Sequence, residues 1–267
     1  MRIFVISLKA AAVRRASAVE EFERTGIEFE FFDAVNGREG SEKYFNSINK
    51  WLFRLNTLRD PLLGEIGCYA SHLALWRTCV AMNQAIVILE DDFQLEPGFT
   101  AAIREIRDLT NTVGFIRLQS IEKKRKPLKR LRPAAYEIIS NGRRKLLYVS
   151  DVPLCALAYA ISPAAAASLL KASATLTAPV DKFLQQTWIH MTPICALEPA
   201  VVKLSTDSDS STIGIRQRKS RNPILLLCRA VYKAVGELRR FGFDMRQLKS
   251  LDRGDAQQFK SWRDVIG

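Results

Sequence analysis

The residues best placed to do chemistry stand together: Glu90, Asp91 and Asp92 follow directly on Ala85 to Leu89, a continuously apolar run. Such a run reads as a central parallel strand, here ending in carboxylates. Clustered carboxylates supply the hard oxygen ligands that Mg²⁺ or Mn²⁺ prefers. A divalent cation held on them would neutralise the charge that grows on a diphosphate leaving group. In open α/β sheets ligands bind outside the carboxyl ends of the strands, so the triplet marks where a site is expected. The plainer alternative is a helix cap or a solvent-facing turn; three acids directly after a buried strand tip the reading toward a metal.

The surrounding pattern supplies the scaffold. Arg2 to Leu8 reads as a buried strand, followed by a helix carrying Ala12, Ala16, Val19 and Phe22 at helical spacing and ending near Gly26. Phe29 to Val35 reads as a second strand turning at Asn36-Gly37, and this β-α-β opening implies a parallel sheet. From Gly64 to Met82, Ile66, Tyr69, Leu73, Trp76 and Val80 form one helical stripe, with Glu65 and His72 at its edge. Ile116 to Gln119 reads as a short strand, and Asn141-Gly142 as the turn of a hairpin. Cys155 to Ile161 reads as a strand leading to a helix capped by Ser162 with Pro163 at its first position. Val180-Asp181 opens another helix, and Ile194 to Leu204 reads as the last strand of the core.

Composition bounds the answer. A chain of 267 residues with 48% hydrophobic and 25% charged residues buries a full core, which excludes wholesale disorder. Five single cysteines without C-x-x-C spacing read as free core thiols of a reducing compartment, and carry no chemistry in this reading. The apolar run at Met1 to Leu8 is shorter than a secretory h-region, and no run approaches the roughly 20 residues of a membrane span. A cytoplasmic protein is expected. The net charge of +12 is concentrated in two segments, Glu122 to Lys145 and Arg216 to Lys249, each with ten Lys or Arg against two acids. Such segments suit polyanions or membrane surfaces. Only Tyr136 interleaves the first of them with an aromatic ring, so nucleic acid is not an expected partner.

The segment Gly64-Glu65-Ile66-Gly67-Cys68-Tyr69-Ala70-Ser71-His72 with Trp76, followed by Ile88-Leu89-Glu90-Asp91-Asp92, resembles the signature of glycosyltransferase family 25, the lipooligosaccharide and collagen galactosyltransferase group. Phe4 to Leu8 with Arg14-Arg15, Phe31 to Gly37, Ala158 to Ser162 with Ala165-Ala166, and Pro179-Val180-Asp181 resemble the family in the same order, over roughly residues 1 to 205. The resemblance implies an α/β GT-A-like nucleotide-sugar-binding fold, with a mostly parallel central sheet flanked by helices. It implies a UDP-sugar donor, most readily UDP-galactose, a glycan or lipid-linked saccharide acceptor, and inversion at the anomeric carbon. Glu90 and Asp92 then occupy the place of the metal-binding D-x-D, with Glu in the first position.

An inverting transfer needs a carboxylate to take the proton of the acceptor hydroxyl. Asp181 is assigned that role, with a helix cap as its alternative, and Glu65 is the second candidate. Arg14 and Arg15 at the first strand-to-helix turn could reach the diphosphate, or simply face solvent. Ser7, Asp33, Ala34 and Asp91 would line the nucleotide pocket, Ser71 and His72 the sugar site, while His190 reads as a buried, satisfied histidine.

Two other classes share these features. A metal-dependent phosphohydrolase or nucleotidyltransferase could use the same acids, and a non-catalytic polyanion-binding protein could use the basic segments. The chain divides into a catalytic domain over 1 to 205 and a basic, amphipathic helical extension over 206 to 267. In that extension Ile224, Leu227, Cys228, Val231, Val235 and Leu238 share one helical face. With Arg239, Arg240, Phe241 and Phe243 they resemble an interfacial anchor for an anionic membrane, docking on the chain's own core being the alternative.

Overall fold

The computed structural model of the chain describes residues 1–38, 41–122, 133–205 and 219–253. The centre of the first basic segment, 123–132, and the expected start and end of the extension, 206–218 and 254–267, lie outside the described residues. The strands are β1 (Arg2–Ser7), β2 (Glu30–Asp33), β3 (Ser47–Ile48), β4 (Ile86–Glu90), β5 (Phe93–Leu95), β6 (Phe115–Arg117), β7 (Ala135–Ser140), β8 (Lys145–Val149), β9 (Ala158–Ile161), β10 (Thr175–Leu176), β11 (Cys195–Glu198) and β12 (Val202–Leu204). The helices are α1 (Ala12–Glu23), α2 (Lys50–Thr57), α3 (Leu63–Met82), α4 (Phe99–Val113), α5 (Pro163–Ala172), α6 (Val180–Leu184), α7 (Thr187–His190) and α8 (Pro223–Arg253).

Among the described residues the central sheet has eight strands in the order β2-β1-β4-β9-β6-β11-β8-β7. Alternation along each strand divides the core between the two faces. On β1, Phe4 and Ile6 pack with α3 and α5 around Trp76, whereas Ile3 and Val5 pack with α1 and α4 around Phe22, Phe99 and Ile106.

The expectation of a mostly parallel sheet needs correction. The β1–β2, β1–β4 and β6–β11 pairs are parallel, but β9 runs antiparallel to both β4 and β6, and β8 antiparallel to β11 and β7. A run buried on both faces, as Ala158–Ile161 is, signals a central position and carries no information on direction. The reversal matters for the site. Because β9 is antiparallel, its leading loop lies at the same end of the sheet as the carboxyl ends of β1, β2 and β4. The expected final strand is also two strands: β11 stays in the central sheet, while beyond Pro199, which has no N–H for a ladder, β12 pairs with β5.

Local chemistry accounts for the helices. Ser162 Oγ caps α5 by accepting from Ala165 N–H at 3.3 Å, with Pro163 in the first turn. Helix α3 is buried on most sides, including Ser71 and His72, so its expected single stripe is too narrow; Val80, placed on that stripe, is exposed. The turn between β7 and β8 is closed by Asn141 Oδ1, which accepts from the N–H groups of Arg143 and Arg144. Arg144 of the first basic segment is buried against Glu105 and the Gly98 carbonyl, and Lys145 pairs with Glu137, so part of that segment's charge is neutralised internally.

Helix α8 lies on the core through one face. Leu225 and Phe243 are buried, Tyr148 donates to Asp244 at 2.6 Å, Arg229 donates to the Leu55 carbonyl, and Trp188 touches the helix at Gly236. This corrects part of the expected anchor. Phe243 is inside, and Arg240 is bound to Asp151 and Glu237, so neither is free to meet a membrane. The opposite face carries Ile224, Leu227, Val231, Val235, Leu238 and Phe241 exposed.

Candidate active site at the carboxyl end of the sheet

Three parallel strands deliver Ser7, Asp33 and Glu90 to one end of the sheet. Ser7 Oγ donates to Asp91 Oδ2 at 2.6 Å and Arg14 to Asp91 Oδ1 at 2.9 Å, so β1, α1 and the end of β4 are tied through one carboxylate. Arg15 donates to Asp33 Oδ1 at 2.5 Å and to the Ser7 carbonyl at 3.0 Å, and its guanidinium lies over the Phe31 ring. That hydrogen bond, with Lys9 beside it, holds the Asp33 carboxyl below its ordinary range. Ala34 N–H donates to the Ser7 carbonyl and Val35 N–H to Ser71 Oγ. The loop after β2 approaches α3 so closely that a Cβ on Gly67 would sit 2.4 Å from the Val35 carbonyl oxygen, which is why glycine stands there.

Glu90 is gripped from the other side of the sheet. Trp76 Nε1–H can only donate, and it donates to Tyr159 Oη at 2.9 Å; Tyr159 Oη lies 2.7 Å from His72 Nδ1. The other ring nitrogen of His72, Nε2, lies 3.3 Å from Glu90 Oε1, so the imidazole bridges the phenol and the carboxylate. Cys68, one turn earlier on α3, directs its thiol at the same oxygen at 3.8 Å. Burial, with Glu90 beside it, pushes that thiol well above its usual range and keeps it protonated.

The remaining acids are short of countercharge. Asp92 Oδ1 is buried without a hydrogen-bond partner. Burial and then the Glu90 charge raise the Asp92 carboxyl to about 6. Asp181, in the first turn of α6, is raised to about 6 by burial and by Glu90, against the opposing pull of His72 and Arg117 and a hydrogen bond from the Ala156 backbone. Its helix is capped at Pro179, so Asp181 is not the cap. The loop that presents Ala156 is fixed by Arg117 and Gln119, which both donate to the Cys155 carbonyl, while Gln119 Oε1 accepts from Ala158 N–H. Cys155 has φ 107°, and a strained residue held in place by two buried side chains is a feature of functional loops.

A divalent cation fits this donor set. Glu90 and Asp92 offer hard oxygens at a strand end, and a cation between them would give the orphaned Asp92 oxygen a partner and offset the burial and the Glu90 charge that raise its pKa.

The structure thus brings Ser7, Arg14, Arg15, Asp33, Ala34, Ser71, His72, Glu90, Asp91, Asp92 and Asp181 to one end of the sheet. The arginines meet Asp91 and Asp33 directly. Glu65 is placed differently: both of its oxygens bind Arg59, at 2.5 and 2.6 Å, and Oε2 also accepts from Leu62 N–H, which ties it to the start of α3. His190 is buried with both nitrogens occupied by backbone groups. Reading the sequence missed Tyr159, Arg117, Gln119 and Cys68. Of these only Cys68 left a usable signal, its spacing of four from His72 on one helix face.

The family model described as "Glycosyltransferase family 25 (LPS biosynthesis protein)" matches residues 1–184. The chain is 32% identical over 209 residues to "Glycosyltransferase 25 family member" of Drosophila melanogaster, covering 72% of this chain and 32% of that one. It is 27% identical over 191 residues to "Procollagen galactosyltransferase 2" of Mus musculus, covering 68% and 29%. It is also 30% identical over 204 residues to the mouse "Inactive glycosyltransferase 25 family member 3", covering 68% and 31%. The chain therefore spans about a third of the length of these relatives. The matched segment contains every residue of the carboxylate cluster, and on it the chain belongs to glycosyltransferase family 25.

Proposed function

We propose that the chain is an inverting hexosyltransferase of GT-A-like arrangement that moves galactose from UDP-galactose onto a cell-surface glycan precursor of the lipopolysaccharide or lipooligosaccharide kind. The observation that carries this reading is the acidic cluster at the carboxyl end of β4, where Glu90 is held by His72 and Asp92 has a buried oxygen without a partner, with Asp181 of α6 in the field of Glu90. Galactose is favoured by the name of the mouse relative, and the acceptor by the family's description.

In this mechanism Glu90 and Asp92 would hold Mn²⁺ or Mg²⁺, which would supply charge neutralisation for the departing UDP. Arg14 and Ser7 fix Asp91 at the floor of the nucleotide pocket, and Arg15 with Asp33 shapes its wall. Asp181 accepts the proton of the acceptor hydroxyl as that oxygen attacks the anomeric carbon from the face opposite UDP. A carboxylate near pKa 6 is a stronger base than an ordinary aspartate and is still ionised at neutral pH. His72, held by Tyr159 and Trp76, orients Glu90.

The acceptor side of the proposal places the chain at the cytoplasmic face of an anionic membrane. No helix among the described residues is long and apolar enough to cross a membrane. The exposed apolar face of α8, with Arg239, Lys233, Arg246 and Lys249 exposed on the same helix, suits shallow insertion beside anionic headgroups.

Product analysis tests the reading. Incubation with a panel of UDP-sugars and Mn²⁺ is expected to release UDP, fastest from UDP-galactose. Release of UMP with sugar 1-phosphate instead would mark a phosphohydrolase, and pyrophosphate formed from UTP and sugar 1-phosphate would mark a nucleotidyltransferase.

A further inference from the structure

Cys68 and His72, which both face Glu90, stand outside what the proposed transfer requires of a hard-cation site, because they offer soft or borderline donors. With Glu90 they form a cluster of three. Their donor atoms all lie within 4.8 Å of one another. Cys68 and His72 are four apart on α3, the spacing at which two side chains of one helix face share a ligand. A tetrahedral Zn²⁺ with Zn–N and Zn–O near 2.0 Å and Zn–S near 2.3 Å has edges of about 3.3 Å between N and O, and about 3.5 Å between S and O. The structure has 3.3 Å between His72 Nε2 and Glu90 Oε1, and 3.8 Å between Cys68 Sγ and the same oxygen.

We propose that Cys68, His72 and Glu90 form a three-ligand site for a soft divalent metal of the zinc class, which shares Glu90 with the hard-cation cluster and therefore competes with it. Thiolate and carboxylate together balance the metal's charge, which suits a site where His72 is fully buried. Binding expels the thiol proton to solvent and leaves the ring proton of His72 on Nδ1. Tyr159 Oη, with two lone pairs, then accepts from both Trp76 and His72, the second-shell contact that orients a ligating imidazole. The cost is the phenol's own hydrogen bond. A fourth position stays open for water. Softness separates the two sites: thiolate and imidazole select zinc, whereas Asp92 and the remaining carboxylate oxygens select magnesium or manganese.

The competition with the hard cation rests on the functional reading above, but occupancy of the site does not, and the test is chosen to keep them apart. Co²⁺, a spectroscopic substitute for Zn²⁺, is titrated into the purified full chain under reducing conditions, without donor or acceptor. The expected result is an intense near-ultraviolet thiolate-to-cobalt band with visible bands of tetrahedral intensity, saturating at one equivalent and quenched by stoichiometric Zn²⁺. In Cys68→Ala the near-ultraviolet band disappears, and in Glu90→Gln the apparent Co²⁺ affinity falls at least about tenfold. A parent chain without the band, or a band that survives Cys68→Ala and so belongs to another cysteine, overturns the site. Neither outcome depends on whether the chain transfers a sugar.

Discussion

The chain's two histidines are both buried, yet they serve opposite ends of the short helix α6. His72 stacks on Tyr159 and reaches a carboxylate, Glu90, near Asp181 at the start of α6. His190 packs against Phe183 and spends its nitrogens on the Leu184 carbonyl and the Thr192 N–H. Burial lowers His190 to about 4, so it is neutral at physiological pH and its ring serves the core. The contrast shows that depth alone does not mark a functional histidine. What marks it is a charged partner whose own position is needed: His72 faces Glu90, with Asp181 in its field, whereas the nitrogens of His190 meet backbone groups.

That comparison breaks most visibly at Asp92. Asp92→Ala should lower transfer by about 10³-fold or more, as loss of a preorganised electrostatic group does, with the melting temperature kept or slightly raised. The sign follows from its pKa: a carboxyl raised to about 6 is penalised by folding while charged, so its cost is present above pH 6 and fades toward pH 4. Rate and thermal unfolding measured together check both halves. Asp181→Asn should lower kcat by about 10²- to 10⁴-fold and leave UDP affinity within a few-fold. In the parent chain the rate should rise with pH through about 6 and then level, because the base must be ionised to accept a proton. Equal loss of binding and turnover in Asp181→Asn would assign the residue to structure.

Tyr159→Phe sharpens the comparison from behind. It removes the hydroxyl that accepts from Trp76 and holds His72 at Nδ1, and should cost about 10- to 100-fold in apparent Mn²⁺ affinity, read from metal titrations of the rate. His190→Gln is the control on the other side, with no expected change in kcat. Below the ordinary histidine pKa of about 6.5 the unfolded chain takes up a proton that the folded chain refuses until about pH 4. The parent should thus lose on the order of 3 kcal/mol between those values through this residue, a slope that urea unfolding at several pH values should find missing in the variant.

Much of this was legible in the sequence where periodicity and caps coincide. The strand ending at Glu90, the α3 motif, the Ser162-Pro163 start and the buried His190 follow from apolar runs and local hydrogen-bonding chemistry. The direction of β9 did not, because side-chain burial is the same for either direction. The orienting chain from Trp76 through Tyr159 to His72 joins residues more than 80 positions apart, and nothing local announces it. Glu65 misled because acids at strand ends and helix starts look alike until Arg59 is seen to bind it. The amphipathic pattern of α8 gave its apolar face correctly but not which residues beside it turn inward: Phe243 is buried, Asp244 meets Tyr148 of β8, and Arg240 meets Asp151 in the loop after it.

In the proposed mechanism Glu90 and Asp92 would hold a divalent cation against the donor's diphosphate. Calorimetric titration of UDP into the parent chain and into Asp92→Ala, each with and without Mn²⁺, tests it most directly. The account predicts that Mn²⁺ tightens UDP binding at least about tenfold in the parent, roughly 1.4 kcal/mol, and has no effect on the variant. Equal affinities with and without the metal in the parent, or the same metal-dependent gain in Asp92→Ala, would contradict it.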